Sequence, residues 1–217
     1  LLKSASAPEA ATQGGALEVA PTLAWVHGYR GHDCRQNVHF NHAGEAIYPA
    51  ASVVVIAGVG ESGGKRRQRF FTEHTDDILC LAPHPNRIIF ASGQKAFASG
   101  GQGKKAPLLV WDSDTRELLA RLSGIHEHAV TSIAFSGGEG QRLLSSGLDG
   151  MHSVALWDWR KETMLLTAES SPRPIFGLGF LRPRTPNANS ASTAPEPIEG
   201  RPTPSVPTIA PHAAAPP

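Results

Sequence analysis

The chain repeats itself at intervals of about 45–52 residues, and this repeat restricts its fold more than any other feature. His74–Ala82 aligns with His126–Ala134, and Leu109–Asp112 aligns with Ala155–Asp158. The offsets are 52 and 46 residues, and the difference falls in a Gly- and Lys-rich insertion around residues 99–107. A period of this length indicates an array of similar units and not independent domains.

Each unit consists of short apolar runs separated by turn residues, with no helical period sustained over three turns. We therefore predict an all-β fold with four short strands per unit. A third unit starts at Ile175–Phe180, which aligns with Val130–Phe135 at an offset of 45 residues. A histidine near the start of each unit and Trp-Asp near its end resemble WD40 repeats, the blades of a β-propeller.

In WD40 blades a histidine, a strand Ser or Thr, a turn Asp and the Trp are joined by hydrogen bonds that brace the blade. The resemblance implies such a brace in the second unit from His126, Ser146, Asp149 and Trp157. In the first unit it implies His74, Ser92 and Trp111, with no aspartate at the matching position. We assign structural roles to these residues and to Asp112 and Asp158, which follow the tryptophans.

Two units and the start of a third fall short of the roughly four to eight blades that close a propeller. We therefore predict an incomplete propeller from a larger protein or an incomplete gene product, with an open edge on its last blade. Twelve of the 18 prolines lie in residues 172–217, and residues 1–21 are rich in Ala and Gly. Such segments bury too little apolar surface to order themselves, so we expect disorder in residues 1–21 and 182–217.

Composition excludes several classes of function. The net charge of +1 argues against a nucleic-acid-binding protein, which needs a strongly basic face. No apolar run approaches the ~18 residues of a transmembrane helix, and we do not expect a signal peptide, because no basic region near the start leads into an apolar run. The two cysteines, Cys34 and Cys80, do not form a disulfide framework, and we expect a reducing, intracellular setting.

The stretch Ala24–Asn37 is crowded with special residue types and has neither helical nor strand periodicity. It is either a functional site or a tightly folded structural segment. His27, His32, Cys34, His39 and His42 fall within 16 residues, yet they lack the paired spacing that closes a zinc site. We therefore predict no metal and no catalytic residue here, and we expect the stretch to pack against the first repeat. In that packing the large aromatic side chains of Trp25 and Tyr29 are expected to be buried. The charged side chains of the stretch, Arg30, Asp33 and Arg35, are expected to form a paired network.

A strand at residues 53–57 precedes Gly58, Gly60 and Gly63, which spell the dinucleotide-binding pattern G-x-G-x-x-G. That site also needs a helix whose N-terminus faces the pyrophosphate. The basic residues that follow offer no apolar helical face, so we predict a hairpin turn and no cofactor.

Several motifs resemble the echinoderm microtubule-associated protein-like (EML) family. The HELP motif of that family is matched by Trp25-Val26-x-Gly28-Tyr29-Arg30-Gly31-x-Asp33-Cys34-Arg35-x-Asn37, followed by Gly44-Glu45 and Ala51–Val55. The first two repeats of the family are matched by Asp76–Pro85, Ala91–Gln94, Val110–Ser113, Ala129–Ser136 and Val154–Trp159.

The resemblance covers about residues 23–180 and implies a partial WD40-type propeller preceded by a HELP motif. It divides the chain into the HELP motif and leading strands (22–72), repeat 1 (73–122), repeat 2 (123–168) and the start of repeat 3 (169–181). The structural motif comprises Trp25, Gly28, Tyr29, Arg30, Gly31, Asp33, Cys34, Arg35, Asn37, His74, Trp111, Asp112, His126, Asp149, Trp157 and Asp158.

The implied function is non-enzymatic binding of tubulin or microtubules, in the cytoplasm and cytoskeleton, without nucleic acid, membrane or cofactor. Two basic loops are the candidate partner contacts, through Lys65, Arg66, Arg67, Arg69, Lys104 and Lys105. The alternative is a generic WD40 scaffold that binds other proteins without affinity for microtubules.

Overall fold

The computed structural model describes residues 22–32, 34, 36–58, 66–96 and 105–181. Within these ranges the chain forms twelve strands and one turn of 3₁₀ helix, Trp159–Lys161. The strands make three four-stranded antiparallel sheets, each built from strands consecutive in sequence. The prediction of an all-β partial propeller is thereby confirmed.

The first sheet contains β1 (His39–Phe40), β2 (Ala46–Ala50), β3 (Val53–Gly58) and β4 (Arg67–Phe71). The second contains β5 (Ile78–Pro83), β6 (Ile89–Gln94), β7 (Leu108–Asp112) and β8 (Leu118–Leu122). The third contains β9 (Val130–Phe135), β10 (Arg142–Gly147), β11 (Val154–Asp158) and β12 (Thr163–Ala168). The sequence predicted leading strands before the first repeat. It did not predict that these strands form a complete four-stranded sheet of their own.

Two separate apolar cores hold the sheets face to face. Ile47, Val54, Ile56 and Phe71 of the first sheet pack with residues of the second, and Phe71 stacks on Trp111 at 4.6 Å between ring centroids. The other face of the second sheet and one face of the third share a larger core that includes Leu108, Val110, Leu143 and Trp157. Buried apolar area of this kind is the main favourable term in such packing.

Gly93 on β6 lies in the packed interface between the second and third sheets. A Cβ atom at this position would lie 2.6 Å from the side chain of Val130 and 2.8 Å from the Cys80 sulfur. Only glycine leaves room for these two side chains.

Residues 169–181 contain no strand, so the start of a third repeat stays a prediction. The predicted disorder of residues 1–21 and 182–217 concerns residues outside those described. Within the described residues, no helix has the length and apolar character needed to span a bilayer.

Candidate protein-interaction surface

The N-terminal segment, by which we mean the described part of residues 22–37, begins on the face of the first sheet that points away from the second. Gln68 Nε2 donates to the Val26 carbonyl at 3.0 Å, and the Val26 N–H donates to Gln68 Oε1 at 2.8 Å. The rings of Tyr29 and Tyr48 meet edge to face, with centroids 6.0 Å apart. A segment without regular structure is thereby held by paired backbone and side-chain hydrogen bonds.

The segment covers apolar surface. Val54 and Ile56 of β3 point into the core shared with the second sheet, so Val55 between them points to the opposite face, beneath the segment. Its side chain is fully buried. Cys34 and Asn37 are buried as well. The HELP-like stretch thus acts as a cover for the first sheet.

The expected burial of two aromatic side chains in this segment is wrong. Trp25 is 38% exposed and Tyr29 is 55% exposed. Each ring has an aromatic neighbour at the surface, Trp25 with His27 and Tyr29 with Tyr48. Tyr29 still has a structural contact, because its hydroxyl donates to Asn37 Oδ1 at 2.8 Å.

An ion pair links the segment to the start of the second sheet. Arg30 Nη1 lies 2.8 Å from Asp77 Oδ2, and Lys95 Nζ lies 3.1 Å from the same oxygen. The Arg30 side chain is 9% exposed, and its hydrogen bond holds the pKa of Asp77 below its usual range. The other members of the predicted charge network, Asp33 and Arg35, lie outside the described residues.

The two glycines of the motif differ in their surroundings. A Cβ at Gly31 would lie 2.8 Å from the Tyr29 ring, whereas nothing approaches Gly28 within 4 Å.

Cys34 lines a cavity of about 540 Å³ together with Cys80, His32 and His39. Burial raises the pKa of the Cys80 thiol, which makes it a poor nucleophile. No group of three or more His, Cys, Asp or Glu among the described residues is arranged to hold a metal ion.

A second cavity, of about 520 Å³, lies where the rim of the N-terminal segment meets the first sheet. We call it the rim groove. Its lining residues include the aromatic Trp25, His27 and Tyr48 and the basic Arg66 and Arg67. Exposed aromatic rings beside guanidinium groups are typical of protein-binding surfaces.

The candidate contact residues separate into two kinds. The side chains of Arg66 and Arg67 are exposed and make no hydrogen bond or ion pair among the described residues. Arg69 instead pairs with Glu45 and donates to the Asp114 carbonyl, and Lys105 pairs with Glu127 at 2.8 Å. Lys65 and Lys104 lie outside the described residues.

The described residues of the two basic stretches are not brought together. Arg66 and Arg67 line the rim groove beside the first sheet, whereas Lys105 precedes β7 and pairs with Glu127. Arg66 and Arg67 therefore belong to a different surface from Lys105.

Hydrogen bonds brace the second sheet as the WD40 resemblance implied. Trp111 Nε1 donates to Ser92 Oγ at 3.0 Å, and His74 Nε2 lies 2.6 Å from the same oxygen. Sequence reasoning missed Gln94, whose Oε1 accepts from His74 Nδ1 at 2.8 Å. Gln94 follows Ser92 by two residues on the same face of β6, and that spacing was the available signal.

The brace of the third sheet is similar but corrects one residue. Ser145, and not Ser146, accepts from Trp157 Nε1 at 2.9 Å and lies 2.8 Å from His126 Nε2. Consecutive strand residues point to opposite faces, so Ser146 turns away and meets Thr131 instead. His126 Nδ1 lies 3.1 Å from Ser153 Oγ, and this hydroxyl donates to the Asp149 carboxylate. The histidine is therefore linked to the aspartate through the serine.

The two Trp-Asp aspartates have local structural contacts. Asp112 Oδ1 accepts from the backbone N–H groups of Asp114 and Thr115 in the turn that follows β7. Asp158 accepts from Arg142 Nη1 at 2.6 Å.

The dinucleotide-binding pattern is not followed by the helix it requires. Gly60 and Gly63 lie outside the described residues, but Arg67–Phe71 is a strand paired antiparallel with β3. The described residues therefore place a strand where the cofactor site needs a helix.

Comparison with known proteins assigns the family. The model of the "Echinoderm microtubule-associated protein first beta-propeller" matches residues 67–187, and that of the HELP motif matches residues 17–55. Human "Echinoderm microtubule-associated protein-like 1" is 41% identical over 162 residues, which cover 73% of this chain and 19% of the relative.

Two further relatives agree with this assignment. "Echinoderm microtubule-associated protein-like 2" of Rattus norvegicus is 38% identical over 169 residues, 76% of this chain and 25% of the relative. The "77 kDa echinoderm microtubule-associated protein" of Strongylocentrotus purpuratus is 38% identical over 167 residues, 74% of this chain and 24% of the relative. The chain thus spans about a fifth to a quarter of the length of these relatives. This chain belongs to the echinoderm microtubule-associated protein-like family and contains its HELP motif and part of its first β-propeller.

Proposed function

We propose that this chain is a non-enzymatic, EML-type protein that binds tubulin and microtubules through its atypical propeller, at the microtubule cytoskeleton of the cytoplasm. The observation that carries the proposal is the rim groove, a cavity lined both by two exposed arginines and by aromatic residues of the HELP-like part of the chain. The named relatives are microtubule-associated proteins. No cofactor or membrane enters this function.

Arg66 and Arg67 carry the contact in this proposal, with Lys65 next to them in sequence. An exposed guanidinium without an internal partner can pair with carboxylates of an acidic tubulin surface. Arg69 and Lys105 contribute less, since each already has an acidic partner within the chain.

Co-sedimentation with polymerised tubulin at rising salt tests the proposal. We expect pelleting at low salt that weakens as salt rises, because exposed charges are screened. The double variant Arg66→Glu/Arg67→Glu should lose most of the pelleting at low salt.

The matched control is Lys105→Glu/Arg121→Glu, which changes the charge by the same amount at two residues that do not line the rim groove. It should pellet like the wild type. Equal losses of pelleting in both variants would show that the microtubule contact does not lie in the rim groove. No pelleting of the wild type at low salt would favour the alternative, a WD40 scaffold without microtubule affinity.

A further inference from the structure

Strand β4 is an edge strand of the first sheet, and one of its two edges has no strand beside it among the described residues. All five of its residues pair with β3 along the other edge. The sheets of this stack meet face to face, so a further sheet would cover a face and not this edge. The outward N–H and C=O groups of β4 are therefore placed to pair with an added strand.

The corresponding strand of the second sheet, β8, is already engaged at its outer edge. The Arg121 backbone N–H donates to the Glu162 carboxylate at 2.8 Å, so an outward group of β8 is bound within the chain. In the described part of the chain, no group outside the sheet makes a hydrogen bond to the backbone of β4. Of these two strands, β4 is the one with a free edge.

The charge at the start of this edge is basic. Arg66 and Arg67 are exposed and line the rim groove, whereas Arg69 on the same strand already pairs with Glu45. A second copy of this chain on the same edge would bring arginines toward arginines. An acidic strand would instead meet opposite charges at Arg66 and Arg67.

The register indicates what the rest of an added strand should contain. Tyr48 aligns with Val55, and Val55 aligns with Phe70. A row of large side chains therefore crosses β2, β3 and β4 and ends at Phe70, which is half-buried. An added strand places one side chain beside Phe70, where an apolar residue extends the row.

We propose that the first sheet binds an extended acidic segment of its tubulin partner as a fifth strand along the free edge of β4. The inference rests on the proposed function and adds backbone pairing to the contact at the rim groove. The added strand runs antiparallel to β4, since every pair in this sheet is antiparallel and such ladders are the more stable per residue. Its acidic residues then lie at its C-terminal end, beside Arg66 and Arg67.

Binding of a synthetic peptide to the full chain tests the pairing. The probe is Thr-Val-Thr-Thr-Glu-Glu with a fluorophore at its N-terminus, measured by fluorescence anisotropy at low salt. Its valine is placed to oppose Phe70, and its two glutamates are placed to oppose Arg67 and Arg66. We expect saturable binding that weakens as salt rises, because the exposed charges are screened. Absence of binding at low salt would overturn the proposal.

Methylation of the peptide backbone separates strand pairing from side-chain contacts. Alternate N–H groups of an added strand point to β4, and the others point to solvent. One peptide is methylated on its second and fourth backbone nitrogens, and a matched peptide on its third and fifth. We expect one of the two to lose affinity about tenfold, through lost hydrogen bonds, and the other to bind like the unmodified probe. Equal losses would refute strand addition.

The reversed peptide, Glu-Glu-Thr-Thr-Val-Thr, tests the direction of the added strand. It has the same composition, but antiparallel pairing takes its glutamates away from the two arginines, so it should bind more weakly. Equal affinity of the two sequences would refute the antiparallel arrangement.

A pair of protein variants tests the charge contact. Arg67→Ala should weaken binding of the forward peptide about fivefold, which corresponds to the loss of one exposed charge pair. Arg121→Ala is the matched control, because it removes an arginine from β8, and it should bind like the wild type. Equal losses in the two variants would contradict the contact at Arg67.

Competition with polymerised tubulin distinguishes this inference from the proposed function. An excess of the forward peptide should release the full chain from pelleted microtubules, and the reversed peptide should release less. Pelleting that the forward peptide does not displace would leave the proposed function standing and refute this inference. Absence of pelleting, with the peptide still bound, would instead refute tubulin as the partner.

Discussion

One serine hydroxyl in each of two sheets joins a histidine to a tryptophan. Ser92 lies between His74 and Trp111, and Ser145 lies in the same way in the third sheet. We expect Ser92→Ala to lower the free energy of unfolding by about 1–3 kcal/mol, because it leaves a buried indole N–H without an acceptor. Urea unfolding measures the loss.

Ser113 provides the control for this prediction. Its hydroxyl is buried and has no hydrogen-bond partner in the described part of the chain. Ser113→Ala should therefore change stability little. Losses of equal size at Ser92 and Ser113 would show that the brace does not contribute.

The two brace histidines make stability depend on pH. Burial lowers the pKa of both His74 and His126 to about 4. The unfolded chain takes up protons near pH 6.5 and the folded chain does not, so stability should fall as pH drops from about 6.5 toward 4. Unfolding midpoints between pH 7.5 and 4.5 measure this, and a His74→Gln variant should show a shallower slope.

The residue-level predictions from sequence succeeded where a motif fixed both identity and spacing. His74, Ser92 and Trp111 meet as the resemblance implied. The choice between Ser145 and Ser146 failed, since both fit the motif and only the register decides which face each one occupies.

Of all the structural elements, the N-terminal segment was the least predictable from the amino-acid sequence. The strands that it covers, β2, β3 and β4, could be predicted from alternating and β-branched residues. An irregular segment has no such period, so the burial of its side chains cannot be inferred from sequence. Trp25 shows the consequence, since a large aromatic was expected to be buried and lies at the rim.

The ion pair between Arg30 and Asp77 should keep this segment on the sheet. We expect Asp77→Asn to cost about 1–2 kcal/mol and to speed proteolysis within residues 22–37, because a charge-assisted hydrogen bond is lost from a partly exposed site. Limited proteolysis followed by mass spectrometry measures the cleavage.

Glu127→Gln is the control, since it removes an exposed pair with Lys105 outside the segment. It should leave the cleavage rate unchanged. Unchanged cleavage in Asp77→Asn as well would mean that the ion pair does not hold the segment.

For the whole molecule, stability depends on how closely neighbouring sheets approach. Gly93→Ala should destabilise the chain by about 1–3 kcal/mol, because the added methyl group overpacks the interface of the second and third sheets. Gly28→Ala is the control, as nothing lies within 4 Å of its added atom. Thermal unfolding of both variants checks the prediction, and similar shifts would contradict it.

The repeat period predicted the stacked sheets, because the same contacts recur in each unit. It could not predict the sheet before the first repeat, where neither the brace nor the Trp-Asp pair occurs. That sheet relies on different contacts, among them the pairs of Arg69 with Glu45 and of His42 with Asp114.

The N-terminal segment covers the first sheet, so the two ends of the stack of sheets differ. In a linear array each unit is stabilised by its neighbours, and a terminal unit needs a cap. Here the first sheet has its cap, while the third ends in the exposed leucines of β12. A further sheet packed against the third would bury these leucines, so this end of the described stack gains apolar contact from another neighbour.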